Sequence, residues 1–243
     1  MNAIASIFLP FKNRFSILFP ALLGTIIEYY DYALYGFCAV ILSKHFFPAD
    51  NPTLALFQTY AVFAIGSLAK PLGAFIFGRT GDKEGRKPSL KRSMIGIAIP
   101  TTIIGLLPPY GEWGWLSPVV LLCCRFAQGF FVSGEQDGVR IYILEHVGQH
   151  HPCLANSFVN MSAFIGIYFA SFAAALAVSE SHPWLWRLPF LFGGGLGIIV
   201  HVIRRHIQEP ALFKDHSTAP LPTKQALLKN WRAIGLAMLL CGS

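Results

Sequence analysis

The sequence predicts an all-α membrane protein with six transmembrane helices. Three observations lead there. Hydrophobic residues make up 54% of the 243 and charged residues only 13%, about half the roughly 25% usual in soluble domains. Six apolar runs approach the length of about 20 residues that a helix needs to cross a hydrocarbon core. Lysine and arginine fall almost wholly on alternate connections between those runs. A soluble domain of this composition would have too few polar groups to cover its surface, and the apolar content excludes a disordered chain.

Taken in order, residues 1–14 read as a cytoplasmic, interfacial N-terminus. A cleaved leader is not expected, because Lys12 and Arg14 follow the apolar stretch Ile4 to Phe11 instead of preceding it. The six-helix bundle is expected over 15–203, with spans at 15–42, 54–77, 93–107, 116–144, 155–178 and 186–203. The third is short and closed by Pro108-Pro109; the fourth is long and interrupted by charge. Residues 204–230 read as a basic cytoplasmic linker. Residues 231–243 read as the opening of a truncated seventh helix, too short to cross alone. The runs are helical because lipid offers no partner for backbone N–H and C=O groups. They also lack the sustained period-two alternation of barrel strands.

Fourteen of the 19 Lys and Arg residues fall on one side of this arrangement: Lys12 and Arg14, six from Arg79 to Arg92, and six from Arg204 to Arg232. The other side offers Lys44, with Arg187 at a boundary. Both termini are therefore expected in the cytoplasm. The net charge of +7 is then a topology signal, and no nucleic-acid partner is implied. The connection after span four carries only His146, His150 and His151. The histidine pair lacks a third ligand, and the five cysteines lack the spacing of a disulfide framework or zinc site. No metal or cofactor is expected.

Three stretches carry chemistry. Span one contains Gly24-Thr25-Ile26-Ile27-Glu28-Tyr29-Tyr30-Asp31-Tyr32-Ala33-Leu34-Tyr35. Each carboxylate in a membrane helix costs about 2.5–3.5 kcal/mol on insertion scales. Glu28 and Asp31 stand three apart and share a face that Tyr32 and Tyr35 continue. That stripe must line protein or a water-filled cavity. Burial favours the neutral carboxyl and an arginine the charged one, so such groups can exchange protons. Span four offers Arg125, Gln128 and Glu135 at three-four-three spacing through Val132. Arg125 is permanently charged and needs a carboxylate on a facing helix, with Glu28 or Asp31 the candidates. Asp137 and Arg140, three apart, can pair with each other. Arg140 and Glu145 lie level with the second connection and can belong to a gate there. That connection reads Gly78-Arg79-Thr80-Gly81-Asp82-Lys83-Glu84-Gly85-Arg86-Lys87. Gly78, Gly81 and Gly85 permit tight turning and close helix approach. Asp82 can accept hydrogen bonds from an arginine or a helix N-terminus and hold one arrangement shut.

The Gly78 to Lys87 stretch resembles the signature between helices two and three of the major facilitator superfamily. The Gly-x-x-x-Glu-aromatic-aromatic-Asp run of span one is similar to its metabolite:proton symporter branch. So are Arg125-x-x-Gln128-Gly129 and Gly134-Glu135-x-x-Gly138 in span four, Trp186 to Phe190, and Glu209 to Phe213. That branch includes carriers of proline and glycine betaine, 2-oxoglutarate, citrate and shikimate. The likeness runs from about Gly24 to Phe213, with Thr25 where the branch often has Asn and Ser133 where Gly is usual. It implies one half of a major-facilitator fold in a bacterial inner membrane, with Glu28, Asp31, Tyr32, Tyr35, Arg125, Gln128 and Glu135 on a proton and solute path. Gly78, Gly81, Asp82, Lys83, Gly85, Arg86, Lys87 and Arg140 would form the cytoplasmic gate.

The resemblance implies two six-helix halves with the solute between them, and this chain holds one. A truncated or split carrier is expected. Its partner would be a separate C-terminal half or a second copy, unless the chain is an inactive remnant. The expected activity is proton-coupled uptake of a small polar organic solute, either a proline- or betaine-like zwitterion or an organic acid. A non-transporting helical scaffold would tolerate the acids but gives no reason for the Gly78–Lys87 signature. An enzyme is not expected, since neither His-Glu-x-x-His nor Gly-x-Ser-x-Gly occurs.

Overall fold

The computed structural model describes residues 2–48, 51–147, 152–177 and 184–206, with side chains from residue 18 onward. Within them the chain is helical, in the order α1 (Asn2–Phe37), α2 (Ala39–Phe46), α3 (Pro52–Leu68), α4 (Lys70–Lys83) and α5 (Arg86–Leu106). There follow α6 (Tyr110–Trp113), α7 (Leu116–Val147), α8 (Pro152–Ala177), α9 (Arg187–Ile203) and a 3-10 turn, Arg204–His206. The expected linker from residue 207 and the seventh helix lie outside the described residues.

Spans one and two are each broken in two. The second breaks at Ala69, where the Pro71 ring cannot donate to the preceding turn and crowds its carbonyl. Span three starts at Arg86, seven residues before the apolar run, because the basic stretch is itself helical. No helix break marks the expected boundary at residue 14, since α1 is continuous from Asn2. By length and composition Pro52–Lys83, Leu116–His146 and Pro152–Ala177 can each cross a membrane, and Arg187–Ile203 is a shorter apolar helix.

Helix α7 is central, touching α1, α3, α4, α5 and α8. Glycines set the closest approaches: a Cβ on Gly129 would fall on the Gly66 carbonyl of α3, and one on Gly166 of α8 on the Ile26 carbonyl of α1. With no hydrophobic drive between helices in lipid, such close backbone contact is what holds spans together. One apolar cluster joins Leu34, Phe46, Leu121, Trp186 and Phe190; a second joins Leu18, Leu90, Val139, Tyr142 and Val159. The second marks the end that also holds the Gly78–Lys87 connection, referred to below as the basic end. Outward faces are apolar too: Phe57 and Phe164 are 70% and 71% exposed.

Candidate functional site

The buried charges form three groups. At mid-bundle, Asp31 of α1 is 2% exposed. Its carboxylate accepts from Gln128 Nε2 at 2.8 and 3.0 Å and lies 2.7 Å from the Thr101 hydroxyl of α5. Arg125 Nη1 stands 3.7 Å from Asp31 Oδ2, an ion pair too long for a hydrogen bond. The Arg125 guanidinium instead lies over the Tyr35 ring, with Cζ 3.7 Å from its centroid. That cation–π contact makes up for part of the lost hydration. Tyr35 is fixed by its hydroxyl, which donates to the Thr59 carbonyl of α3 at 3.1 Å. Arg125 Nε and Nη2 and Gln128 Oε1 are buried without hydrogen-bond partners among the described residues. They border a recess of about 20 Å³, lined also by Asp31, Tyr32 and Lys70, room for about one water. Lys70 Nζ sits 4.9 Å over the Tyr32 ring.

Of the two carboxylates weighed as partners for Arg125, Asp31 is the one beside it. Glu28 is 1% exposed but makes no ion pair among the described residues. Glu135 keeps to the Arg125–Gln128 side of α7 but stands ten residues on, about 15 Å along the helix axis, so it belongs to a second group nearer the basic end. There Arg204 grips it with both terminal nitrogens, at 2.5 and 2.7 Å, and Ser93 of α5 donates to it at 2.9 Å. The sequence places Arg204 at the start of the basic linker, as a topology charge. Instead it is fully buried, because the 3-10 turn after α9 swings it inward. It donates further to the carbonyls of Pro20, Ala21 and Leu90.

The third group is the basic end itself. Gly85 links α4 to α5 at φ 104°, a left-handed conformation that favours glycine. Arg86 Nη1 donates to Asp82 Oδ1 at 2.9 Å, while Nε and Nη2 reach Glu145 of α7 at 3.3 and 3.1 Å. Burial alone would lower the Arg86 pKa, but the Glu145 and Asp82 carboxylates outweigh it and hold the guanidinium above arginine's ordinary value. Two expectations change here. Gly78 makes no close approach, since a Cβ there meets nothing within 4 Å. Asp137 and Arg140 form no ion pair among the described residues. They line instead, with Gly78, Gly81 and Arg86, a cleft of about 410 Å³. Lys83 is exposed and Lys87 half-buried. No group of three or more potential metal ligands occurs among the described residues.

Lys70, Thr101, Ser93 and Arg204 were missed in the sequence. Lys70 carried a usable signal, as a lone cation inside an otherwise apolar run. The hydroxyls carried none, since serine and threonine commonly bond back to their own helix.

The family model for sugar (and other) transporters matches residues 17–213. The chain belongs to this family, within the major facilitator superfamily. Among its relatives is the inner membrane metabolite transport protein YhjE of Escherichia coli K12, 36% identical over 88% of this chain and 50% of that protein. The proline/betaine transporter of Salmonella typhimurium LT2 is 34% identical over 81% of this chain and 40% of its own. The citrate-proton symporter of Klebsiella pneumoniae is 33% identical over 89% and 50%. The chain thus spans about half the length of the curated relatives it matches. The solved xylose transporter XylE from E. coli, in a partially occluded inward-open conformation, superposes with a TM-score of 0.71 at 18% identity, over 84% of this chain and 51% of that one. The fold is therefore the six-helix half of a major-facilitator carrier, and members of this superfamily are transporters, not enzymes.

Proposed function

We propose that this chain is the first six-helix half of a secondary active transporter in a bacterial inner membrane, with both termini cytoplasmic, taking up a small polar organic solute with protons. The observation that carries this reading is the buried Asp31–Arg125–Gln128 group. A carboxylate and a guanidinium sit together in a membrane helix bundle, with two guanidinium nitrogens unpaired. Such groups are costly in a membrane and mark ion or solute pathways. A proton arriving at Asp31 removes the charge facing Arg125, which then pairs with a solute carboxylate. The solutes named for the relatives, proline and betaine, shikimate and citrate, all carry a carboxylate. Lys70 and Tyr32 complete the wall, and the Arg86–Asp82–Glu145 group closes the cytoplasmic side. A second six-helix half supplies the opposite wall of the cleft.

Co-expression with the C-terminal half of a relative, followed by uptake of radiolabelled proline or citrate, tests this. Saturable accumulation abolished by an uncoupler is expected, and Asp31→Asn should remove it. No uptake above empty membranes in any pairing would leave an inactive remnant. Accumulation that survives both Asp31→Asn and Glu28→Gln would end the proton assignment.

A further inference from the structure

Four threonines elsewhere in the bundle turn their hydroxyls onto their own helix. Thr59, Thr80, Thr101 and Thr102 each reach the carbonyl four residues back at 2.8 to 3.0 Å. Thr25 does not. It is 2% exposed, and its Oγ1 has no hydrogen-bond partner among the described residues. One turn on, Glu28 is 1% exposed and its Oε2 is likewise unpartnered. Two orphaned oxygens thus share one face of α1, separated by about 4.5 Å of helix rise.

The neighbouring charges do not satisfy Glu28. Lys70 of α4 sits over Tyr32, and Arg140 of α7 is exposed. Glu135 of α7 is locked to Arg204 of the turn after α9. On α1 itself, Tyr29 accepts from Gln136 at 3.1 Å. Lys70, Arg140, Glu135 and Arg204 are the charged groups acting on Glu28 through space, and none forms an ion pair with it among the described residues. Asp31 differs, since both its oxygens already accept. An ionised carboxylate with an unsatisfied oxygen is costly away from water. A neutral carboxyl needs only one acceptor for its proton, and a free threonine hydroxyl has lone pairs to offer.

We propose that Glu28 is a second proton site, separate from Asp31, whose carboxyl, once protonated, turns about its side-chain bonds to donate to Thr25 Oγ1. The O–H bond of a water or of the Asp31 carboxyl breaks as one forms on Glu28 Oε2, and the proton then leaves to water at the basic end. Glu28 lies between the Asp31 group and the Glu135–Arg204 pair along α1, one step towards that end. This rests on the proton-coupled reading above and divides the labour within it: Asp31 governs Arg125, and Glu28 relays the proton.

Infrared difference spectroscopy of the purified chain in lipid nanodiscs, across a pH titration, tests the site without any partner half. The expected result is a carboxylic-acid carbonyl band that Glu28→Gln removes and Asp31→Asn keeps. Thr25→Val should shift it to higher frequency by deleting the acceptor, and Thr25→Ser should restore it. A Glu28→Gln spectrum with every band intact overturns the proposal. So does a Thr25→Val spectrum superimposable on wild type, which decides the matter if Glu28→Gln fails to fold. Uncoupler-sensitive uptake without a Glu28 band would sink this site alone. The band without uptake in any pairing would support the site and overturn the transport reading.

Discussion

Arg204 and Glu135 show how much one side chain can hold. Both are fully buried, and every terminal nitrogen of the arginine finds a carboxylate or carbonyl acceptor. Removing one member of such a pair leaves the other charge stranded, at a cost of about 3–5 kcal/mol. Arg204→Met should lower the thermal unfolding temperature in detergent sharply, and the double variant Arg204→Met with Glu135→Met should recover much of the loss. A double variant no more stable than the single would show that the carbonyl contacts, not the ion pair, dominate. Tyr35 invites a second comparison. Tyr35→Phe keeps the ring under Arg125 and loses only the hydroxyl bond to Thr59, about 1 kcal/mol. Tyr35→Leu also removes the cation–π contact and should cost up to about 2 kcal/mol more, measurable in the same melts. Asp31, Arg125 and Gln128 were legible in the sequence because ionisable residues in apolar runs are rare and their short spacing fixes their face. Arg204 was not, because one residue beyond an apolar run looks like any flanking charge until a tight turn redirects it. The spacing of Arg125, Gln128 and Glu135 fixes a shared side of α7 but says nothing of which partner each meets along about 15 Å of axis.

At the scale of elements, contact between backbones decides which helices meet. Gly129 and Gly66 bring α7 and α3 together with no room for a side chain on the α7 position. Gly129→Ala should therefore force the helices apart, costing about 1–3 kcal/mol and loosening the shelf on which Arg125 and Tyr35 rest. Gly78→Ala should hold or raise the melting temperature of this half, because the position is helical and faces open space and alanine is the better helix former. Unequal melting of these two variants is the check; equal losses would mean Gly78 is packed after all. The span positions were readable from apolar length, and α7, α8 and α9 begin within about three residues of expectation. The break at Ala69 has a local cause in Pro71, visible beforehand. The early start of α5 did not show, because Arg86 to Arg92 reads as loop when hydropathy alone sets the boundary.

Across the described residues the core is apolar with charges buried inside it, and large apolar side chains also cover the outside, where a soluble domain would be polar. Leu68 and Leu72 of span two and Tyr168 and Phe172 of α8 are more than half exposed, surfaces suited to lipid or to another helix bundle. The proposed orientation can be checked independently of transport. A cysteine introduced at Arg79 should resist a membrane-impermeant maleimide in intact cells and react once the membrane is permeabilised, and labelling without permeabilisation would reverse the topology. Finally, the guanidinium that fastens the turn after α9 to the backbone of α1 and α5 and to the α7 carboxylate acts as a rivet at the end of that helix. A load on that turn is shared among four helices instead of being borne by α9 alone.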